Sequence, residues 1–277
     1  MTHRRKLLNR GGACCFLLAA SFVGNSKTVS VSTSTVGSSL PTQAVQGYVN
    51  PNGLGSEVRD YLRAYGTRLI TPGKERTILI GTYSNGAMTA PATITFQLPN
   101  QTRLDLGGSS PKTLILNGSQ TSVTAPGSDQ DLLETLSDDT AESFLFGLSN
   151  GVPTQFLGSR FRSDAPNGNT DSTSYAGPLR DIYRRRAPVA AVTGSPVRAK
   201  MYRFDSRTKY FAGCRYTITR NGVPVAVEVV HGSWMTVGTE SFPTSITRIE
   251  NGTQVFSISI QQVLTAVKSL DSTFKLP

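Results

Sequence analysis

The chain has 277 residues, 38% of them hydrophobic and 17% charged, enough for one large domain with a real core or for two small ones. Its formal charge of +10 becomes +6 once the four basic residues of the first 26 are set aside. That modest surplus argues against a dedicated nucleic-acid binder, which concentrates basic side chains on one face.

The N-terminus reads as an address rather than as fold. Arg4, Arg5, Lys6 and Arg10 precede an apolar stretch containing Phe16, Leu17, Leu18, Phe22 and Val23, and small polar residues follow. A basic start, a short apolar core and a small-residue exit make an export signal over residues 1–26. The apolar core falls short of the ~20 residues of a comfortable membrane span; an uncleaved anchor is the competing reading. The run Arg4-Arg5-Lys6-Leu7-Leu8 also resembles a twin-arginine signal. Export places the chain in the periplasm or cell envelope. Of the three cysteines, Cys14, Cys15 and Cys214, only Cys214 lies beyond the signal, so no internal disulfide is expected.

Residues 27–50 are rich in Ser, Thr and Val without periodicity and read as a flexible leader. Domain residues then run from 51 to 277. Val58, Tyr61, Leu62 and Tyr65 recur at helical spacing, and Gly66 ends that helix. From Arg76 the period changes to two. Residues 77–83, 93–98 and 112–116 are strands, with Ile94, Phe96 and Leu98 on one face, and Leu104 and Leu106 alternate around Asp105. Asn85-Gly86 and Asn117-Gly118 mark hairpin turns, because both residue types tolerate positive φ. Residues 128–148 carry Leu132, Leu133, Leu136, Phe144, Leu145 and Leu148 on one helical stripe, interrupted at Thr140. Asp129 and Asp131 suit the first turn of that helix. Residues 163–200 read as an irregular insert that includes the Arg184-Arg185-Arg186 run.

From Lys200 onward the pattern is a meander of hairpins. Strands at 200–205, 210–220, 223–230, 234–237, 245–250 and 253–261 are separated by turns that include Asn221-Gly222 and Asn251-Gly252. Strands in sequence order joined by short turns make one continuous antiparallel sheet.

The same stretch carries a family resemblance. Tyr202-Arg203-Phe204-Asp205-Ser206-Arg207-Thr208 is followed by a strand, an Asn-Gly turn and a strand, then by Ser241-Phe242-Pro243-Thr244-Ser245-Ile246-Thr247-Arg248. Glu250-Asn251-Gly252, Val255-Phe256 and a terminal Asp271-Ser272-Thr273-Phe274-Lys275-Leu276-Pro277 complete it. This resembles the C-terminal half of the outer-membrane lipoprotein-sorting proteins, the LolA/LolB-like group. Element order extends the resemblance upstream to about Ser56, with specific motifs only over residues 202–277. It implies a mainly β fold with helices: one curved antiparallel sheet forming an incomplete, half-open barrel with a helical plug or lid. It further implies an apolar cavity that takes acyl chains, and a lipid or acylated lipoprotein as partner. The carriers of this group often place an Arg before the Pro that ends an early apolar strand. Here that pair is Leu98-Pro99, and Arg103 stands in another position. The departure bears on carrier activity more than on fold.

An apolar strand face suits acyl chains, which need area rather than hydrogen bonds, at about 25 cal/mol per Å² buried. The candidate lining residues are Phe96, Leu98, Leu104, Leu106, Tyr216, Ile218, Trp234, Phe256 and Ile258, with Phe144 and Leu145 on the lid side. Plain core packing writes the same pattern, so a structural protein with a filled interior stays open beside a binder. Arg180, Arg184, Arg185 and Arg186 form a basic cluster suited to anionic headgroups or an acidic partner, or simply to solvent. One His and one Cys beyond the signal are too few for a zinc site, and no cofactor motif is present. An envelope hydrolase using Cys214 and His231 is the weakest reading: Cys214 falls mid-strand, and His231-Gly232 reads as a turn. Asp138 and Asp139 read as solvated. The chain is expected not to be an enzyme.

Overall fold

The computed structural model describes residues 56–66, 75–98, 100–125, 127–149, 152–161, 179–185, 199–268, 270 and 272–277. All fall within one compact unit, Ala44–Pro277. The expected export signal and leader, the Ser/Asn-rich part of the insert and Arg186 lie outside the described residues.

Helix α1 (Ser56–Tyr65) opens the described chain and buries Tyr61, Leu62 and Tyr65 on one side. Strands β1 (Glu75–Ser84), β2 (Thr89–Gln97), β3 (Gln101–Leu106), β4 (Lys112–Asn117) and the short β5 (Gln120–Thr121) follow. Helices α2 (Ser128–Ser137) and α3 (Ala141–Ser149) come next, where the sequence pattern suggests one interrupted helix. The break has a local cause: the Thr140 hydroxyl accepts the Ser143 amide hydrogen at 3.1 Å and so caps a second helix. Then come β6 (Thr154–Phe161), β7 (Leu179–Arg185), β8 (Lys200–Asp205), β9 (Phe211–Arg220), β10 (Val223–Val237), β11 (Glu240–Glu250) and β12 (Thr253–Lys268).

All twelve strands form one sheet in the order β5-β4-β3-β2-β1-β12-β11-β10-β9-β8-β7-β6. Every pairing is antiparallel, and the first strand pairs with the last. The sheet does not close, since β5 and β6 end the order without pairing each other. Its inner face is written with period two: Leu79 and Tyr83 on β1, Leu104 and Leu106 on β3, Phe256, Ile258 and Ile260 on β12 are all buried. The Asn221-Gly222 and Asn251-Gly252 turns adopt φ of 51° and 79°, and 49° and 83°, as a type I′ hairpin requires.

Two sequence expectations are corrected here. β7 is a regular strand inside the stretch assigned to an irregular insert. Its arginines mask the alternation in which Asp181 and Tyr183 turn inward while Arg184 is exposed. β10 runs unbroken through Val237, so His231-Gly232 is mid-strand rather than a turn.

The helices cover the inner face. Tyr61 packs its ring 4.4 Å from Phe204, and Tyr65 meets Trp234 edge-on at 5.4 Å. Phe144 of α3 sits against Tyr202 at 4.9 Å and Phe204 at 5.1 Å. These contacts fill the β7–β9 side with aromatic rings. The β1–β4 side is less completely filled, and the cavity lies there.

Candidate functional site

A cavity of about 270 Å³ lies between the inner face of the sheet and helices α2 and α3. Its floor follows from alternation. Leu79 of β1, Ile94 and Phe96 of β2, and Leu116 of β4 point the same way, and Leu98 extends the row past the end of β2. Trp234 of β10 with Phe242 and Ile246 of β11 closes one side. Leu136 of α2 and Phe146 of α3 form the roof. Polar side chains gather at the rest of the boundary: Asn100, Gln101 and Thr102 from β3 and the turn before it, Ser137, Thr140 and Ser143 from α2, α3 and the turn between them. An apolar interior with a few polar groups is the usual composition of a small-molecule site.

Three of the eleven residues singled out from sequence, Phe96, Leu98 and Trp234, line this cavity. Leu104, Leu106, Phe144, Leu145, Tyr216, Ile218, Phe256 and Ile258 belong to the packed core beside it. Phe144 and Leu145 lie on α3 and the other six on strands, all within the packed core; Phe256, for example, packs against Tyr83 at 5.9 Å. The residues that sequence reasoning missed include Leu79, Leu116, Phe242 and Ile246. Their signal was present in the same alternation, yet nothing local distinguishes a strand residue under a gap from one under a helix side chain.

Next to the cavity, polar groups pin α2 and its C-terminal turn to the sheet. Lys200 of β8 donates to Glu134 at 3.0 Å and to Asp139 at 2.7 Å, with side-chain exposures of 9%, 3% and 0%. Tyr216 donates to the other Asp139 oxygen at 2.7 Å. Arg248 donates to the Tyr216 and Thr135 hydroxyls, both at 3.1 Å, and pairs with Asp131 and Glu250. Arg220 reaches the same two carboxylates. Burial pushes Asp139 up, but Lys200, Arg248 and Tyr216 more than offset this and hold it below the usual carboxylate range. Burial pushes Lys200 down, and Asp139 and Glu134 outweigh it to raise the amine well above its ordinary value. The expectation that Asp138 and Asp139 are solvated is thus corrected: both are buried. They follow the end of α2, where the turn leading to Thr140 carries them inward.

His231 lines the cavity and is also buried. Burial lowers its pKa to about 4, against opposing contributions from Glu142 and Asp139. Its ring donates to the Asp139 carbonyl oxygen, and Nε2 has no hydrogen-bond partner. The proton therefore sits on Nδ1 and Nε2 is left as an acceptor. Burial, with the Asp139 carboxylate, raises the Cys214 thiol well above its ordinary value. A protonated buried thiol is the opposite of the thiolate that nucleophilic catalysis needs.

The basic cluster is only partly assembled. Arg180 pairs with Asp205 at 2.7 Å, and Arg184 is exposed four residues along β7. Exposed Arg160 of β6 stands across from Arg180. Among the described residues no group of three His, Cys, Asp or Glu is placed to hold a metal ion. Among them also, no helix is long and apolar enough to cross a membrane.

An open twelve-stranded antiparallel sheet, with helices across its inner face and an apolar cavity between, is the incomplete, half-open barrel architecture expected from the resemblance of the C-terminal motifs. No family model matches the chain, and no curated protein matches it. Solved structures similar to it include a LolA superfamily protein from Nitrosomonas europaea, with a TM-score of 0.48 and 8% identity over 78% of this chain and 96% of that one. A putative outer membrane lipoprotein-sorting protein domain from Vibrio parahaemolyticus is similar at a TM-score of 0.41 and 6% identity, over 73% of this chain and 90% of that one.

Proposed function

We propose that this chain is an exported protein of the periplasm or cell envelope that holds the acyl portion of a lipid or acylated lipoprotein in the cavity under α2 and α3. The observation that carries this reading is the cavity itself, about 270 Å³ lined by Leu79, Ile94, Phe96, Leu98, Leu116 and Trp234 among others. Each buried methylene contributes roughly 0.8 kcal/mol, so a few well-placed methylenes give useful affinity without any directed contact. The N-terminal export signal supplies the compartment in which such a ligand is met. The exposed side of β7 with Arg184 would face an anionic membrane surface or an acidic envelope partner.

A second reading, a structural or assembly protein without a ligand, is favoured by one observation: eight of the eleven candidate lining residues are in the packed core rather than at the cavity. Binding of a fluorescent acyl probe separates the two. Phe96→Asp and Leu98→Asp are expected to weaken probe binding more than about tenfold, since each removes methylene contacts worth on the order of 1–2 kcal/mol and adds a charge to an apolar wall. Both residues are half-buried, so the fold tolerates the change. Unchanged binding in both variants, or no binding by the unmodified protein, contradicts the lipid reading.

A further inference from the structure

The cavity is short as well as apolar, and its dimensions limit what it can hold. Polar residues mark its mouth at one end of the sheet. Asn100 and Gln101 at the β2–β3 turn stand beside Gly118 and Ser119 at the β4–β5 turn, because Gln101 pairs with Asn117. Ser137 and Thr140 complete the mouth from the α2–α3 turn. From there Leu98, Phe96 and Ile94 run inward as a row along β2. Four residues of extended chain at ~3.3 Å each make this row about 13 Å long. Past Ile94 the same face continues as Ala92, which belongs to the packed core. The flanks are filled too. On one side α2 packs on β3 and β4, where Leu104, Leu106 and Leu114 are buried. On the other, Phe144 packs on Tyr202 and Phe204.

Two measures of capacity agree. A methylene takes up roughly the volume of a water in the liquid, ~30 Å³, so a cavity of about 270 Å³ holds about nine. An extended alkyl chain, with carbons ~1.5 Å apart at tetrahedral angles, advances ~1.3 Å per carbon, so the row along β2 spans about ten. One chain laid along the row therefore uses the whole volume. We infer that the site takes a single acyl chain of about eight to ten buried carbons, with no room for a second chain or for the far end of a longer one. This inference rests on the lipid reading above and narrows it to single-chain occupancy. Carbons beyond that number remain outside the mouth, where they gain nothing from burial.

The test is a length series of glyceryl monoesters, from hexanoate through octanoate, decanoate and dodecanoate to tetradecanoate, each below its aggregation threshold and titrated into the protein by calorimetry. Affinity is expected to rise about fourfold per methylene as far as decanoate, and by less than about twofold from there to tetradecanoate. Glyceryl dioctanoate is expected to bind no more than about twofold tighter than the monooctanoate, the advantage of carrying either chain to one site. Ile94→Ala lengthens the row at its closed end and is expected to move the break in the series about two carbons longer; Ile94→Val, a milder change, moves it the same way by less if alanine costs the fold. An unbroken rise through tetradecanoate, a dioctanoate more than about tenfold tighter than the monooctanoate, or a break that neither variant moves overturns the single-chain assignment while leaving a lipid site. Failure of every ester to bind overturns the lipid reading itself, so the two failures are distinguishable.

Discussion

Changing Lys200 to Met is expected to lower folding stability by about 3–5 kcal/mol, the cost of leaving buried charge without its partner. Glu134 and Asp139 both face the Lys200 amine, and their side chains are almost wholly removed from water. Without the amine, Asp139 keeps the Tyr216 hydroxyl, which Arg248 in turn holds, and the Cys214 thiol, neither of which brings a charge to it directly. Urea denaturation at neutral pH measures the loss. The double variant Lys200→Met/Asp139→Leu should recover part of it, because an apolar pair of similar volume carries no desolvation penalty. A loss below about 1 kcal/mol, in the range of an exposed ion pair, would contradict the buried geometry. The pH dependence has a definite sign. Asp139 is held below its ordinary value, so its contribution is present above the usual Asp pKa of about 3.9 and is lost as pH falls through the lower folded value. Lys200 is raised, so its contribution persists through neutral pH and is lost only in strong alkali.

Acid should act earlier through His231. Its folded pKa of about 4 lies below the ordinary 6.5, so the neutral ring is favoured in the fold. The stability is fully present above pH 6.5 and falls as pH approaches 4, by about 3 kcal/mol at 1.36 kcal/mol per pH unit. Burial is the principal cause: the ring is packed edge-on against Phe211 at 4.8 Å and has only the Asp139 carbonyl as partner. His231→Leu removes the titration while keeping the volume. Subtracting its stability–pH curve from that of the unmodified protein should give a difference that is flat above pH 6.5 and declines below it. Parallel curves would show that His231 is accessible to water in the folded state.

The strands and their turns were legible because their signals are local. Ile94, Phe96 and Leu98 alternate toward one face whatever lies above them, and Asn221-Gly222 and Asn251-Gly252 carry their own positive φ. Helix α1 is equally local, with Tyr61, Leu62 and Tyr65 on one stripe and Gly66 after it. β7 was hidden because its outward arginines look like a solvated run until Asp181 and Tyr183 are seen to turn inward. His231 and Asp139 were misread for a different reason. A polar residue next to Gly232, or after the end of a helix, reads as exposed unless its partners are known, and those partners lie far away in sequence: Asp139 reaches Lys200 and Tyr216. The cavity shows the same limit. Strand periodicity names the residues that face inward, but whether a helix side chain or empty space meets them depends on how α2 and α3 lie across the sheet.

The most direct test of the central claim is mass spectrometry of the protein purified under native conditions, with its extracted lipid fraction quantified against protein. The account predicts a stoichiometric amphiphile, depleted from Leu98→Asp prepared in the same way. A protein that carries no lipid, and that also takes up none after delipidation, would contradict it and leave the inner face of this half-barrel as a core that serves only the fold.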